Sequence, residues 1–550
     1  MSKAIIYSSS GSSANIASFS VGSVTDFKGI LNNNQPVLTW TDPMDGESGT
    51  GTPIPWAFTR IVRKVGTSPS SPNDGTVVLE SSVRNQYATN GWRDTTVEEG
   101  YTYWYAAFAY SEFGSYSTNV PTVSVTTQRY RVMTVIIDEN ESNPTLNCSY
   151  ADDAVDMPSG LNTEATEAWQ EFFGYRPCLL DQGQVTHYLN PNDYTRDIDG
   201  NDADIIGSTR TTATVEKDVM VEFPRRGIKI SKSGGLITVS MTDNPNNPEY
   251  TYNAHTRGEI DKEYFYVSVY PSENGKSDAI TSTIYARSRS DVEYAIVSLG
   301  TYLDTAWTKI HDYVHCKPIS NQDSKYELLT WYQVIFIQCM FLLQFKTTNM
   351  ASAYKTPTLT FDRNATTNES TLTGAMNKYG LNAYVKFNDT GLTKMFGMEC
   401  MGRFARPTWV DGCFLEDTGY TTIAYIKKDN TDFSIDDPDG GWVTSMDSTS
   451  YQKSYSFARG NGDFITKTIG NTDYGFLPTT VGGSDTTYYC DALDVNDSQR
   501  LSYNDYVDFA PLILHSDVNV GGNGNDKSKG LFSFSNYYDE IINIIRFSFY

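Results

Sequence analysis

Histidine is scarce in this chain of 550 residues, with five in all: His187, His255, His311, His315 and His515. Machinery that relies on imidazole as a base or metal ligand therefore has few places to be built. Cysteine is sparse as well. Cys148, Cys178, Cys316, Cys339, Cys400, Cys413 and Cys490 make an odd number, widely scattered and without a CxxC pair, which argues against a disulfide framework or a zinc knuckle. Positive charge is in deficit: 42 Lys and Arg face 66 Asp and Glu, a net charge of −24. With no basic stripe in the chain, nucleic acid is not an expected partner. The opening residues, Met1 to Tyr7 and the Ser/Gly-rich stretch after them, lack the apolar core of a signal peptide. There is also no GxSxG elbow, P-loop or dinucleotide fingerprint.

Long apolar runs are reduced to one, Leu328 to Phe345. It has about the length of a membrane span, yet Gln333, Gln338 and Gln344 interrupt it and no Lys or Arg flanks its ends as an anchor. It is expected to be a buried core helix, with no membrane insertion. Apolar material is otherwise ample, 39% of the chain with 13% aromatic, so the length predicts two to four folded domains and no disordered chain.

Few residue clusters carry a chemical signal. His311 and His315 would share a helix face beside Cys316, but a third ligand is missing and Asp312 stands where a hydrolytic site wants Glu. Asp197 to Asp204 alternates carboxylates like a calcium loop, but the sixth position is Asp202 where Gly is needed and the twelfth is Ser208 where Glu is needed. It reads as a solvated turn, with a calcium site of another kind left open, as does Asp436 to Gly441. Acidic pairs are abundant, and sequence cannot give the carboxylate separation on which a glycosidase depends. Cys400 and Cys413 have no adjacent His to activate them. No catalytic residue, metal or cofactor is assigned.

Along the chain, residues 1–20 form a Ser/Gly-rich arm and 21–128 carry alternating strand patterns at sandwich spacing. The strand candidates are Pro36–Thr41, Phe58–Val65, Val77–Ser81, Tyr101–Tyr110 and Thr122–Thr126. Trp40 lies on an early strand, Tyr87 follows, and then come Val97 to Phe108 and Phe113-Gly114-Ser115-Tyr116-Ser117. That order resembles a fibronectin type III domain, with its buried tryptophan, tyrosine corner and closing turn, which implies a spacer and no chemistry of its own. From Arg129 onward Asn-, Asp- and Tyr-rich loops separate short apolar segments. Helical patterning is confined to Thr163–Phe173, Asp291–Val314 and Lys325–Phe345. So much loop on a small scaffold suggests that the loops do the work.

Several stretches after Arg129 share an order. They begin with Val135-Ile136-Ile137-Asp138, Tyr150-Ala151-Asp152-Asp153-Ala154, Pro177-Cys178-Leu179, Tyr188 to Asn192 and Asp218 to Pro224. Phe265-Tyr266-Val267-Ser268 and the 328–349 segment follow, then Thr373 to Gly380, Met395 to Cys400, Thr408 to Gly412, Gly521-Gly522-Asn523, Gly530-Leu531-Phe532 and Arg546 to Phe549. Together they resemble a family of tailed-phage tail and receptor-binding proteins that ends in a C-type-lectin-like domain, a fold shared with formylglycine-generating enzymes. The paired cysteines of those enzymes have no counterpart in Cys400 or Cys413, so no oxidase activity is implied. In some relatives this end is diversified by a retroelement.

The expected fold is mixed and β-rich: a fibronectin type III-like β-sandwich followed by a large α+β C-type-lectin-like domain with long loops. Residues 129–550 form the receptor-binding region, and 129–230 are a candidate intermediate subdomain. Ser516 to Lys529 is a Gly/Asn/Asp loop, and 531–550 alternate apolar anchors with Ser, Asn, Tyr and Asp, the residues that recognition surfaces use. The expected ligand contacts are Asn519, Asn523, Asn525, Asp526, Lys527, Asn536, Tyr537, Tyr538 and Asp539; the same stretch also reads as a terminal strand pair with Phe and Ile in the core. The resemblance implies a virion tail protein, not an enzyme, assembled in the host cytoplasm and acting outside it. It would bind other tail or baseplate proteins through the N-terminal arm and a bacterial surface glycan or protein through the C-terminal loops. A homo-oligomer, a trimer by family analogy, would multiply weak contacts. The alternatives are a structural tail or head-decoration protein and a host-glycan depolymerase.

Overall fold

The computed structural model describes residues 20–143, 146–181, 183–206, 217–270, 288–291, 297–298, 326–354, 373–387, 390–399, 408–417, 422–427, 451–457, 460–468, 475–482, 492–495, 509–514, 534–535, 541–542 and 546–548. The protein is β-rich, and its chain divides into two compact units, residues 1–130 and 131–550.

In the first unit, a three-stranded antiparallel sheet runs in the order Thr25–Asn32, Gln35–Thr41, Trp92–Arg93. A four-stranded antiparallel sheet runs Thr76–Ser81, Trp56–Val65, Thr102–Ser111, Thr122–Thr126. Alternation does the sorting: in Gln35–Thr41 every second residue is buried, so Leu38 and Trp40 join Ile61, Tyr103 and Tyr105 in one core. The strand candidates fall on observed strands. Thr25–Asn32 was not among them, because it is a largely exposed edge strand with little apolar alternation. Its turn is legible afterwards: Asn33 and Asn34 both take positive φ, 50° and 56°, as a two-residue type I′ hairpin requires.

Trp40 is 1% exposed and its indole N–H donates to Asp42 at 2.8 Å. The same carboxylate accepts the Thr59 hydroxyl at 2.6 Å and the Asn85 N–H at 2.6 Å. Buried Asp42 thus ties three segments far apart in sequence. Tyr103 turns its hydroxyl back to accept the Glu98 N–H at 2.8 Å, the local geometry of a tyrosine corner.

The second unit contains three larger sheets. The first is antiparallel, in the order Cys148–Asp152, Val132–Asp138, Leu236–Thr242, Gly227–Ser233. Seven strands make the next: Asp193–Asp197, Gln184–Asn190, Arg176–Asp181, Asp218–Pro224, Tyr264–Ser268, Arg546–Ser548, Tyr326–Leu328. The last has eight: Tyr451–Phe457, Thr422–Lys427, Thr408–Asp417, Phe509–Leu514, Phe534–Ser535, Ala492–Val495, Gly460–Thr468, Pro478–Val481. Buried Glu139 links two of them, pairing with Lys232 at 2.6 Å and accepting the Thr468 N–H at 3.2 Å.

Helix α1 (Thr163–Phe173) has the bounds its pattern predicts. Asn162 caps it by accepting the Ala165 N–H at 2.8 Å, and Gly174 ends it at φ 74°. Helix α2 (Trp331–Phe345) is buried at fourteen of its fifteen residues. The apolar run is therefore a core helix, and no helix among the described residues is long and apolar enough to cross a membrane. It starts later than expected, because Tyr326–Leu328 pairs as a strand with Arg546–Ser548. Its glutamines work as internal clamps: the Gln333 amide donates to the Ala254 carbonyl at 2.8 Å and that of Gln344 to Gly160 at 3.3 Å. The helix expected over Asp291–Val314 is corrected at Val297–Ser298, which pairs antiparallel with Ile541–Ile542. Apart from Asp291, the rest of that stretch lies outside the described residues. A periodic apolar pattern cannot distinguish a helix from a strand whose partner lies far away in sequence.

Asp42→Ala strands three donors, two of them side-chain groups in the core, and is expected to destabilise the first unit by about 3 kcal/mol. Urea unfolding followed by tryptophan fluorescence measures it.

Candidate functional site

The nine residues expected to contact ligand, Asn519, Asn523, Asn525, Asp526, Lys527, Asn536, Tyr537, Tyr538 and Asp539, lie outside the described residues. The described strands around them form a frame. Leu514 pairs with Phe534 and Ile513 with Ser535, so segment 515–533 leaves and re-enters the eight-stranded sheet at facing positions. Segment 536–540 runs from that sheet to Ile541–Ile542, which pairs with Val297–Ser298. Arg546–Ser548 then inserts between Tyr264–Ser268 and Tyr326–Leu328, with Phe547 opposite both Val267 and Glu327. The described residues on either side of both segments are thus paired in strands.

Two of the stretches singled out in sequence, 373–380 and 395–399, meet in a buried polar knot. Glu399 is 2% exposed, and its carboxylate accepts the N–H groups of Gly374 (3.0 and 3.1 Å) and Met376 (3.0 Å). Gly374 has φ +89°, and a Cβ there would lie 2.0 Å from Ser290 Oγ, so only glycine fits this turn. Lys394, on the strand paired with Glu399, is 1% exposed. It donates to the Met376 carbonyl at 3.1 Å and lies 3.4 Å from the centre of the Tyr194 ring. Burial drives its pKa well below the usual lysine range, against an opposing pull from Glu399. Asn377 donates to Ser290 at 3.0 Å and accepts the Tyr270 hydroxyl, while Asn382 accepts the Phe396 N–H at 2.9 Å. The side chains of this knot are buried, and together they position a turn.

A second network sits on the seven-stranded sheet. The Glu222 carboxylate takes the Arg176 guanidinium at 2.6 Å, the Tyr188 hydroxyl at 3.2 Å and the Tyr266 hydroxyl at 3.1 Å. Arg176 also stacks on Tyr188, 3.9 Å from the ring centre. Every strong acceptor direction of Glu222 is occupied, which marks it as an organiser of the sheet face.

His255 is fully buried, edge-on to Phe265 (4.8 Å) and Phe336 (5.4 Å). The carbonyls of Phe223 and Pro224 lie near it without closing a well-formed hydrogen bond to either ring nitrogen. Burial, helped by Arg225, lowers its pKa to about 3, so it is a neutral core residue. Lys394 and His255 sit in no stretch singled out in sequence, and Glu222 lies in one, Asp218 to Pro224, that gave it no role of its own.

The remaining sequence candidates resolve as follows. Asp197 accepts the N–H groups of Asp199 (2.9 Å) and Asn201 (2.8 Å), a self-satisfied turn of the kind expected. Among the described residues no group of three or more His, Cys, Asp or Glu is placed to hold a metal ion. His311, His315, Cys316, Cys400 and Asp436 to Gly441 lie outside the described residues. Cys413, like Cys178 and Cys339, is buried and its thiol is pushed up by burial, the reverse of nucleophile activation.

No family model, curated protein or solved structure matches this chain.

Two outcomes are expected. Glu399→Ala leaves two buried N–H donors unpaired and should cost about 2–4 kcal/mol in denaturant unfolding. For His255, the unfolded chain takes up a proton near pH 6.5 while the folded chain resists until about pH 3. Its contribution to stability is therefore intact above pH 6.5 and lost as pH falls towards 3, by up to about 1.4 kcal/mol per pH unit. His255→Phe should flatten that acid limb in unfolding curves collected between pH 4 and 7.

Proposed function

We propose that this chain is a receptor-binding tail protein of a bacteriophage virion, recognising a host-surface ligand through its C-terminal loops without turnover. The observation that carries the reading is the frame around those loops. Segment 515–533, rich in Asn, Asp, Ser and Gly, has both flanking strands in the eight-stranded sheet, and segment 536–540 lies between that sheet and the two-stranded pair of Ile541–Ile542 with Val297–Ser298, an arrangement in which a strand scaffold lowers the entropic cost of presenting loops. The order of the sequence stretches supports the same reading, and two of them, 373–380 and 395–399, share one buried turn. The three- and four-stranded sheets of the first unit, buried Trp40 and the Tyr103 corner support a fibronectin type III-like spacer over 21–128. On this reading 1–20 attach to neighbouring tail or baseplate proteins, 129–550 carry a C-type-lectin-like fold, and a homotrimer supplies avidity. Assembly takes place in the host cytoplasm and binding outside it. Such a protein acts without catalytic residue, metal or cofactor.

The deciding experiment compares binding of the purified protein to candidate host cells with that of a variant carrying Asn536→Ala, Tyr537→Ala, Tyr538→Ala and Asp539→Ala. Wild type is expected to bind one host, and the variant to lose at least tenfold in affinity while keeping its melting temperature. If neither binds any host and both still assemble onto particles, a structural tail protein replaces this reading. Release of reducing sugar from host polysaccharide would favour a depolymerase.

A further inference from the structure

A cleft of about 190 Å³ opens in the second unit between the strand Gly227–Ser233, residues 249–254 and the first turn of α2. It is smaller than a drug-sized pocket and suits a single ring with one substituent. Its charges do not balance. Lys229 is paired with Glu249 at 3.0 Å, whereas Arg226 has no carboxylate within ion-pair distance among the described residues. The Arg226 guanidinium spends Nε on the Phe172 carbonyl and Nη1 on the Arg225 carbonyl, each at 2.9 Å. Its Nη2 makes no hydrogen bond to a described residue. The nearby acid Asp243 is already engaged by Arg131, through its backbone N–H at 2.7 Å and its guanidinium at 3.1 Å. Burial lowers the pKa of Arg226, with Asp243 opposing that shift, so its charge is partly desolvated and an arriving anion would offset the cost. Beside this cation the lining is amphipathic, with Tyr332 and Ile335 from α2 contributing an aromatic and an aliphatic side chain. A guanidinium with Nη2 left over, next to an aromatic and an aliphatic side chain, fits a ring that is polar at its rim, apolar on one face and anionic at one substituent.

We propose that this cleft is a subsite for an anionic sugar, with Arg226 meeting the carboxylate or phosphate substituent and Tyr332 and Ile335 meeting the apolar face of the ring. The receptor-binding reading supplies only the source of such a sugar, an envelope glycan; the site itself rests on the cleft.

The test uses the full chain and titrates glucuronic acid, glucose 6-phosphate, glucose and inorganic phosphate by calorimetry at low salt. Both anionic sugars are expected to bind at least tenfold more tightly than glucose or inorganic phosphate, which separates carboxylate from phosphate sources by their relative affinities. Arg226→Gln should remove that tenfold preference. If that variant melts early, Tyr332→Ala takes its place and should weaken both anionic sugars at least fivefold. Equal binding of glucose and glucuronic acid, or wild-type affinity in both variants, overturns the proposal. Inorganic phosphate binding as tightly as glucose 6-phosphate overturns its saccharide part. Loss of sugar binding beside retained host-cell binding rejects this subsite alone, and the converse rejects the receptor-binding reading alone.

Discussion

A helix with no polar face can exist in water only if every side of it is covered. Helix α2 imposes that condition on the second unit: fourteen of fifteen residues are buried, and it packs against α1 and against strands from the four-stranded and eight-stranded sheets. Burial on that scale removes solvent as a partner for Gln333 and Gln344, so their amides donate to Ala254 and Gly160. Clamps of this kind give a nonpolar helix a definite rotation and register, which dispersion alone specifies weakly. The cleft beside Tyr332 lies against the one residue of α2 that escapes full burial.

Charge inside the protein follows the same economy. Asp42, Glu139, Glu222 and Glu399 are each nearly inaccessible to solvent; the first three accept from donors of different segments, and Glu399 accepts two N–H groups of one distant turn. A buried carboxylate so surrounded acts as a multi-point staple, and removing it costs more than one hydrogen bond because several donors lose their partner together. The chain carries a large excess of acid, yet among the described residues these buried acids are organised by structure. Lys394 and His255 show the opposite strategy: burial favours their neutral forms, and the fold becomes sensitive to pH in consequence.

For the proposed receptor-binding role, the consequence is mechanical. The strand Arg546–Ser548 is interior to the seven-stranded sheet, so it helps complete the framework to which the described strands around the expected contact residues belong. Such an arrangement lets sequence vary between fixed anchors at little cost to the core.

Much of the local structure was legible in the sequence because its causes are local. Asn162 and Gly174 bracket α1, alternation marks Gln35–Thr41, and an unbroken apolar run announces α2. Thr25–Asn32 carries no such signal, since an exposed edge strand needs no apolar alternation, and Val297–Ser298 lies in a stretch of helical apolar period, since strand pairing with Ile541–Ile542 leaves no mark at either site. What only the tertiary structure decided is which distant residues meet: Glu399 with Gly374, Arg176 with Glu222, Phe547 with Val267, and Arg226 with a cleft whose acid, Glu249, is paired with Lys229. Periodicity and capping are written over a few residues, whereas buried charge networks and clefts depend on contacts between segments tens to hundreds of residues apart, which a single sequence does not encode in any readable local pattern.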